Sequence, residues 1–432
     1  MAANMSLIAG GAIKRAVAFL YEWAPIPPVL KWRLSRRLRF IRRCSSIDVS
    51  PAPPTGPNAS DAAFTVVIVD GSPFQPDRDA GSRSLSHIML ELRHNRARVV
   101  YYTDALETVD SAWLIENSID VLRDLPGRAL GKLLEREGAA VSCVLLNRPL
   151  VALRHMHEAR RHAPQATLAF YGHDLHYERL SAQFALTGEV AAAVRARRIK
   201  KIEQKVWQAV DVVFYPAEEE VASVCRWLHD RRSPTRAIRL PVYAYRSTFK
   251  PSLESRQRDG LLFVGNFHHA PNVDAAAWLL RDIAPRLLRS NPQLRLTLVG
   301  QAPPAALVAL ADEHARFVGY VDDLLLSRYY AECRVAVAPL RFGAGVKGKI
   351  VEALAAGVPC VTTPTGAQGL LGASPFLRVG ADAPEIAMLI DELLRDDNAW
   401  GVASLGGLRF AEKNFSRASL WEALVSAVRR PI

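Results

Sequence analysis

The chain of 432 residues contains few cysteines and no pair of them in CxxC spacing. The five cysteines are Cys44, Cys143, Cys225, Cys333 and Cys360. An odd, dispersed set predicts a reducing compartment and argues against both a disulfide framework and a zinc site. The sequence also lacks an apolar run of about 18 residues and an N-terminal leader pattern, so we expect a cytoplasmic protein without a transmembrane helix or signal peptide.

Acidic residues are scarce at the N-terminus. Residues 1–60 contain nine lysines and arginines against Glu22 and Asp48, which is +7 of the net charge of +12. The segment KWRLSRRLRFIRR mixes arginines with aromatic and aliphatic residues, as helices on anionic membrane surfaces do, although a solvated helix or a disordered arm fits the same composition. We predict a basic extension and linker over residues 1–62. The remainder is only mildly basic, so we expect no nucleic-acid partner.

Two runs of alternating strands and helices follow. The first contains FTVVIVD, ARVVYYT, AVSCVLLN, ATLAFYG and DVVFYP, and the second contains GLLFVGN, LRLTLVG, ARFVGY, VAVAPL and PCVTT. Continuous apolar runs of this kind are typical of parallel strands that are buried on both faces. We predict an α/β protein with two Rossmann-like doubly wound domains, at residues 63–245 and 255–412, that face a cleft. A C-terminal helix at residues 413–432 is expected to pack back toward the first domain.

The stretch RFGAGVKGKIVEALAAGVPCVTT carries two lysines where a helix begins. A helix N-terminus has a positive partial charge, so Lys347 and Lys349 are unfavourable there unless an anion is bound. Gly343 and Gly345 bring bare backbone close to such an anion. Three further strand-ending glycine turns, beginning with Gly265 and Asn266, fit phosphate binding, but plain turn geometry explains a single such glycine more often.

Taken in order, VGNFHHAPN, LVG, VGYVDDL and VAPLRFGAGVKGKIVEALAAGVPCVTTPTGAQGL closely resemble the C-terminal domain of GT-B glycosyltransferases of the retaining family called family 4 or group 1. The resemblance covers residues 260–412, and it extends more loosely to VDGSPFQPDRDAGSRS and FYGHDLHYERL. It implies a metal-independent and cofactor-free transfer of a sugar from a nucleoside-diphosphate donor to a hydroxyl of a saccharide or lipid-linked acceptor. By analogy we expect an enzyme of bacterial envelope or exopolysaccharide synthesis, peripheral on the inner face of the cytoplasmic membrane.

The resemblance also implies donor-binding residues. Glu352 would hold the ribose hydroxyls, although a Lys349–Glu352 pair on a solvated helix is the simpler structural reading. Lys347 and Lys349 would neutralise the diphosphate, and the backbone of Tyr320 and Val321 would hold the base. The full set of expected donor-binding residues is Gly265, Asn266, Asn272, Tyr320, Val321, Arg341, Gly343, Gly345, Lys347, Lys349 and Glu352.

The sequence departs from the family pattern at two places. Ala344 stands where many members carry a glutamate that faces the donor sugar. The first glycine turn has His268 and His269 in place of the usual arginine and lysine, so Arg341 and the two lysines are expected to supply the positive charge.

The first half is expected to contribute the catalytic loop. In YGHDLHYERL, the resemblance places His173 near the donor and the acceptor hydroxyl, with Asp174 and His176 orienting it. Gly81 and Ser82 open a helix that would bind an anion or the acceptor, with Asp79 beside them. Asp322 and Asp323 are interpreted as a helix cap rather than a metal-binding pair. A sugar-nucleotide epimerase and a non-catalytic nucleotide-sugar-binding scaffold remain the alternatives.

Overall fold

The structure is a computed structural model that describes residues 62–71, 74–76, 80–103, 111–123, 128–241, 243 and 258–428. The basic extension, its predicted membrane contact and Asp79 lie outside the described residues. Within the described part of the chain, no helix is both long and apolar enough to cross a membrane.

The first half is built on a sheet of seven parallel strands in the order β3-β2-β1-β4-β5-β6-β7. The strands are β1 (Phe64–Asp70), β2 (Ala97–Thr103), β3 (Asp120–Arg123), β4 (Val141–Asn147), β5 (Thr167–Tyr171), β6 (Val212–Tyr215) and β7 (Arg236–Arg239). The helices between them are α1 (Ala80–His94), α2 (Ser111–Glu116), α3 (Arg128–Glu137), α4 (Pro149–His162), α5 (His176–Thr187), α6 (Val190–Ala209) and α7 (Glu218–His229).

The second half repeats this plan with six parallel strands in the order β10-β9-β8-β11-β12-β13. The strands are β8 (Asp259–Val264), β9 (Leu296–Val299), β10 (Ala315–Gly319), β11 (Cys333–Ala338), β12 (Cys360–Thr362) and β13 (Arg378–Val379). The helices are α8 (Ala270–Trp278), which continues through a π-helical turn at Leu279–Ile283 into α9 (Ala284–Ser290), then α10 (Ala305–Val308), α11 (Asp323–Glu332), α12 (Gly348–Ala355), α13 (Ala383–Arg395), α14 (Asp397–Asn414) and α15 (Arg417–Val428).

Both sheets are buried on their two faces, which explains the continuous apolar runs in the sequence. In β1 every residue from Val66 to Asp70 is buried, and in β11 every residue is. The strand order starts in the middle of each sheet and reverses direction there, as in doubly wound folds. This reversal leaves a crevice at the carboxyl ends of the strands.

The C-terminal helix α15 packs against α1, β4 and β5 of the first half. Arg417 Nε lies 2.6 Å from Glu91 Oε2, and Arg236 donates a hydrogen bond of 2.8 Å to the carbonyl of Ser426. The preceding helix, α14, packs on α12 of the second half. The last two helices therefore link the two sheets.

Candidate functional site

A cavity of about 330 Å³ lies where the carboxyl ends of the two sheets meet. Residues from both halves line it. Those used below are Ala80, Arg83, Arg179 and Tyr243 from the first half, and Gly265, Asn266, Asn272, Tyr320, Val321, Gly343, Lys347, Lys349 and Glu352 from the second. Strand ends converge here because all strands within each sheet are parallel.

The two lysines of the glycine-rich loop face this cavity. Lys349 Nζ lies 2.6 Å from Asn272 Oδ1 and 4.9 Å from the ring centre of Phe263, while Lys347 donates to the carbonyl of Gly345. Burial lowers the pKa of Lys347 to about 8, although the carboxylates of Glu220 and Asp174 oppose the shift. Burial likewise lowers the pKa of Lys349 to about 7. Both ammonium groups are thus poorly compensated, and a bound anion would stabilise them.

Glu352 pairs across the cavity with the first half. Its Oε1 accepts a hydrogen bond of 3.0 Å from Arg83, and its Oε2 lies 3.3 Å from the hydroxyl of Tyr330. Arg83 also contacts Asp323 at 2.7 Å. Glu352 is therefore held by a cation from α1, whereas Lys349 contacts Asn272, so the simpler reading of a Lys349–Glu352 pair does not describe the structure.

His173 has an unusual backbone and an unsatisfied ring. Its φ is 64°, in the left-handed region that non-glycine residues rarely adopt. Among the described residues, no group forms a hydrogen bond with its buried Nε2 atom. Burial, followed by the charge of Arg148, holds the pKa of His173 well below 6.5, so the ring is neutral. A strained residue with an open polar atom is the local signature of a ligand-binding position.

Asp174 and His176 form an ion-paired cluster directly after His173. His176 Nδ1 lies 2.8 Å from Asp174 Oδ1, and Arg179 Nε lies 2.8 Å from Asp174 Oδ2. Burial would raise the pKa of Asp174, but Arg179 and His176 hold it well below its usual range. Asp174 in turn raises the pKa of His176 despite burial. The loop is thus fixed by charge at its exit from β5.

Two buried glutamates that the sequence reading missed hold this loop in place. Glu203 of α6 accepts hydrogen bonds from the backbone N–H groups of His176 at 3.0 Å and Tyr177 at 3.4 Å. Glu220 of α7 accepts from the N–H of Leu175 at 3.0 Å. Burial raises the pKa of Glu203 to about 7 and that of Glu220 to about 8. In the sequence, Glu203 lies among basic residues in KKIEQK and Glu220 lies in the acidic run YPAEEE, so both look like ordinary surface charge.

The glycine-rich loop touches the His173 loop directly. Gly345 has a φ of 71°, and a Cβ atom there would lie 3.1 Å from the carbonyl oxygen of His173 and 3.2 Å from Asp174 Cβ. The N–H of Gly369 donates to both carboxylate oxygens of Glu219, at 3.3 and 3.1 Å. Glu219, which lies in the acidic run YPAEEE, therefore joins the two halves.

The structure brings most of the predicted donor-binding residues to the cavity but leaves some outside its lining. Arg341 pairs with Asp274, 2.9 Å from Nε to Oδ2, and its guanidinium lies over the ring of Trp278. The hydroxyl of Ser82 accepts from the N–H of Gln75 at 3.0 Å, and Gly81 lies beside the lining residue Ala80 in the first turn of α1. Asp322 caps α11 by accepting from the N–H of Leu325, which confirms its interpretation as a helix cap.

Comparison with known families identifies the second half. Residues 258–396 match the family model described as glycosyl transferases group 1, which confirms the resemblance over that segment. A Klebsiella pneumoniae protein described as an uncharacterized 44.6 kDa protein in cps region is 28% identical over 117 residues, which is 25% of this chain and 30% of that protein. The match therefore spans less than a third of that relative's length.

Solved structures share the whole two-sheet arrangement. Sucrose-phosphate synthase from Thermosynechococcus elongatus superposes with a TM-score of 0.63 at 17% identity, covering 84% of this chain and 97% of that chain. Anabaena HepE in complex with UDP and glucose gives 0.61 at 14% identity, covering 84% and 99%. A UDP-forming α,α-trehalose-phosphate synthase from Burkholderia vietnamiensis gives 0.56 at 10% identity, covering 85% and 100%. The predicted GT-B fold is confirmed.

Proposed function

We propose that this protein is a retaining glycosyltransferase that moves a sugar from a nucleoside-diphosphate donor to a hydroxyl of a saccharide or lipid-linked acceptor. The observation that carries the proposal is the cavity in which Lys347, Lys349 and Glu352 of a group 1 glycosyltransferase domain meet. The UDP bound to the structurally similar HepE and the cps region of the Klebsiella relative support a nucleotide-sugar donor and a role in bacterial polysaccharide synthesis. Donor and acceptor would meet in the cytoplasm, at the inner face of the membrane.

The donor would lie along the second sheet. Its diphosphate would contact Lys347 and Lys349, whose pKa values are lowered by burial more than the nearby carboxylates raise them. The base would lie against the backbone of Tyr320 and Val321. The ribose diol would donate to Glu352, which requires Arg83 to share or release the carboxylate that it contacts in the structure.

Catalysis of the sugar transfer would depend mainly on electrostatic stabilisation of the leaving diphosphate. The acceptor oxygen bonds to the anomeric carbon as the bond to the diphosphate breaks, negative charge accumulates on the leaving diphosphate, and an oxygen of that diphosphate takes the proton of the acceptor hydroxyl. Preorganised cations that contact this charge lower the barrier. His173 is held neutral, so we assign its ring to hydrogen bonding with the donor or acceptor rather than to proton uptake. The cavity would orient the acceptor hydroxyl.

Thermal unfolding with a panel of nucleoside diphosphates and their sugars tests the donor site. A ligand that binds only the folded state stabilises it by about 2.7 kcal/mol at one hundred times its Kd. We expect one nucleotide to raise the melting temperature of the wild type and to lose this effect in Glu352→Gln. Glu412→Gln, at an exposed position on α14, is the matched control.

Donor turnover then separates an enzyme from a scaffold. We expect the purified protein to release the nucleoside diphosphate from the donor that stabilises it, faster when an acceptor is present. Binding without any release would favour the scaffold, whereas interconversion of the donor sugar without release would favour an epimerase. Failure of every nucleotide to bind the folded protein would refute the proposal.

A further inference from the structure

The helical hairpin of α5 and α6 ends in an apolar tip that the donor site does not use. Phe184 and Leu186, near the end of α5, are 40% and 41% exposed. Val190 and Val194, in the first two turns of α6, are 69% and 61% exposed. Single exposed aliphatic residues are common on protein surfaces, but here four lie within eleven residues of one hairpin, and Val190 and Val194, four positions apart, share one face of α6.

A basic stripe continues from this tip along α6. Arg197, Lys201 and Lys205 are all exposed, and they lie seven, eleven and fifteen positions after Val190. Val194 lies four positions after Val190. Such spacings place all five side chains on one face of a helix. The opposite face, with Ala192, Ala196, Ile199, Glu203, Val206 and Trp207, is buried against the first half. We call the tip and the stripe together the hairpin surface.

The acidic residues nearby do not cancel the stripe. Glu189, at the tip, accepts hydrogen bonds of 2.8 Å from both Gln183 and Arg195. Glu203 points the other way, into the His173 loop. The hairpin surface therefore presents apolar side chains at one end and three exposed cations beside them.

We propose that the hairpin surface docks this protein on an anionic lipid bilayer. The tip would insert its apolar side chains at the boundary between head groups and acyl chains, and the stripe would contact the negative head groups. Each lysine or arginine near such a surface contributes about 1 kcal/mol, so the apolar and electrostatic parts reinforce each other.

The composition of the hairpin surface argues against three other occupants: residues 1–60, a second copy of this chain and a nucleic acid. Residues 1–60 carry a net charge of +7, so they would be repelled by the stripe. A second copy that paired through the same surface would bring the two stripes together. A nucleic acid would match the cations, but it would leave Val190 and Val194 in water. An anionic bilayer matches both parts.

The hairpin also connects the bilayer to the cavity. Helix α5 begins at His176, and its 12 residues span about 18 Å. Glu203 of α6 holds the N–H groups of His176 and Tyr177, so both helices are anchored at the His173 loop. If the proposed activity is correct, docking would hold the catalytic loop near the head groups of a lipid-linked acceptor. The docking itself does not depend on that activity.

Flotation of the full chain with vesicles tests the proposal. We expect binding to vesicles of phosphatidylcholine and phosphatidylglycerol, and little binding to phosphatidylcholine alone. The triple variant Arg197→Gln, Lys201→Gln, Lys205→Gln should weaken binding on the order of 100-fold, from three contributions of about 1 kcal/mol. The matched control is Arg281→Gln, Arg286→Gln, Arg289→Gln, which removes the same charge from exposed positions of the second half and should bind as the wild type does.

The tip is tested separately. Val190→Ser with Val194→Ser should weaken binding about tenfold, since each loses part of the 1.5–3 kcal/mol that burying a valine contributes. Met388→Ser with Val402→Ser, at exposed positions on α13 and α14, is the control.

Equal binding by the stripe variant and its control would overturn the proposal. The proposal would also be overturned if only the stripe variant lost binding and RNA displaced the vesicles, because that result would indicate a general polyanion site. Nucleotide-induced stabilisation should be measured on the same variants. A variant that no longer binds vesicles but is still stabilised by the nucleotide has lost docking and kept the donor site.

Discussion

Buried carboxyl groups lie on one side of the cavity and buried lysines on the other, and each side has a different structural role. On the first half, Glu203 and Glu220 accept backbone N–H groups and fix the loop that carries His173. On the second half, Lys347 and Lys349 face the cavity with their pKa values lowered by burial. The carboxyl groups accept hydrogen bonds from the backbone of the loop, whereas we propose that the lysines bind a ligand. The glutamates of the first half therefore build the site, and the lysines of the second half are expected to bind its ligand.

The largest effect should come from removing a lysine. If Lys347 and Lys349 contact the leaving diphosphate, Lys347→Ala or Lys349→Ala should lower kcat/KM about 100- to 1,000-fold, as loss of one preorganised electrostatic contact does. Arg341→Ala should cost far less, because Asp274 already pairs with this arginine away from the cavity. Steady-state turnover is the measurement, with the exposed Lys413→Ala as control. Equal losses of kcat/KM for Arg341→Ala and for the two lysine variants would contradict the role assigned to the lysines.

Removing a buried carboxylate should act on the fold first. Glu203→Ala leaves two partly buried N–H groups without their acceptor, at about 1–3 kcal/mol each. Denaturant unfolding should therefore show a loss of about 3 kcal/mol. Glu203→Gln keeps one acceptor oxygen and should recover part of that loss. If Glu203→Ala unfolded at the same denaturant concentration as the wild type, the carboxylate would not be holding the loop.

The pH dependence of donor binding should follow the lysines. Only protonated Lys349 pairs with a diphosphate, and its pKa in the ligand-free protein is about 7. Affinity for a nucleoside-diphosphate sugar should therefore fall as the pH rises above about 7, by up to about tenfold per unit. Lys349→Gln should bind more weakly at low pH and show a flatter profile, which isothermal titration across this range would reveal. Affinity that rises with pH would be incompatible with this role.

The same lysine should make a stability contribution of defined sign. The pKa of Lys349 in the folded protein lies below its ordinary value of 10.5, so between about pH 7 and 10.5 the unfolded state binds more protons than the folded state. The contribution of Lys349 to the free energy of unfolding therefore rises with pH through that window. The free energy of unfolding of the wild type should therefore rise relative to that of Lys349→Gln as the pH rises through this window, which thermal unfolding would measure.

The smallest effect should come from the glycine that joins the two sides. Gly345→Ala adds a Cβ atom at a φ of 71°, next to the carbonyl of His173. Gly188→Ala adds one at a φ of 70° with no atom within 4 Å, so it isolates the backbone cost of about 1–2 kcal/mol. We expect Gly345→Ala to lower the melting temperature further than Gly188→Ala. Equal shifts would show that the close approach of the two loops carries no energy.

Much of the fold could be predicted from local pattern. The runs FTVVIVD and ARVVYYT coincide with β1 and β2 over their full lengths, because strands buried on both faces must be continuously apolar. The strands β3, β7 and β13 were missed, since they have only four, four and two residues and lie toward the sheet edges. Short edge strands carry too few apolar residues to stand out from loops.

The sequence by itself determined the parallel α/β plan, because strand pattern is local. Helix-start chemistry also predicted an anion-binding loop at Lys347 and Lys349, and the family resemblance implied a ribose-binding role for Glu352. Only the tertiary structure decided that Arg83 pairs with Glu352, which lies 269 positions away, and that Glu203 supports the His173 loop. It also decided that Arg341 pairs with Asp274 instead of lining the cavity. Such contacts depend on how two sheets and their helices pack, and residue spacing along the chain does not encode that packing in any readable pattern.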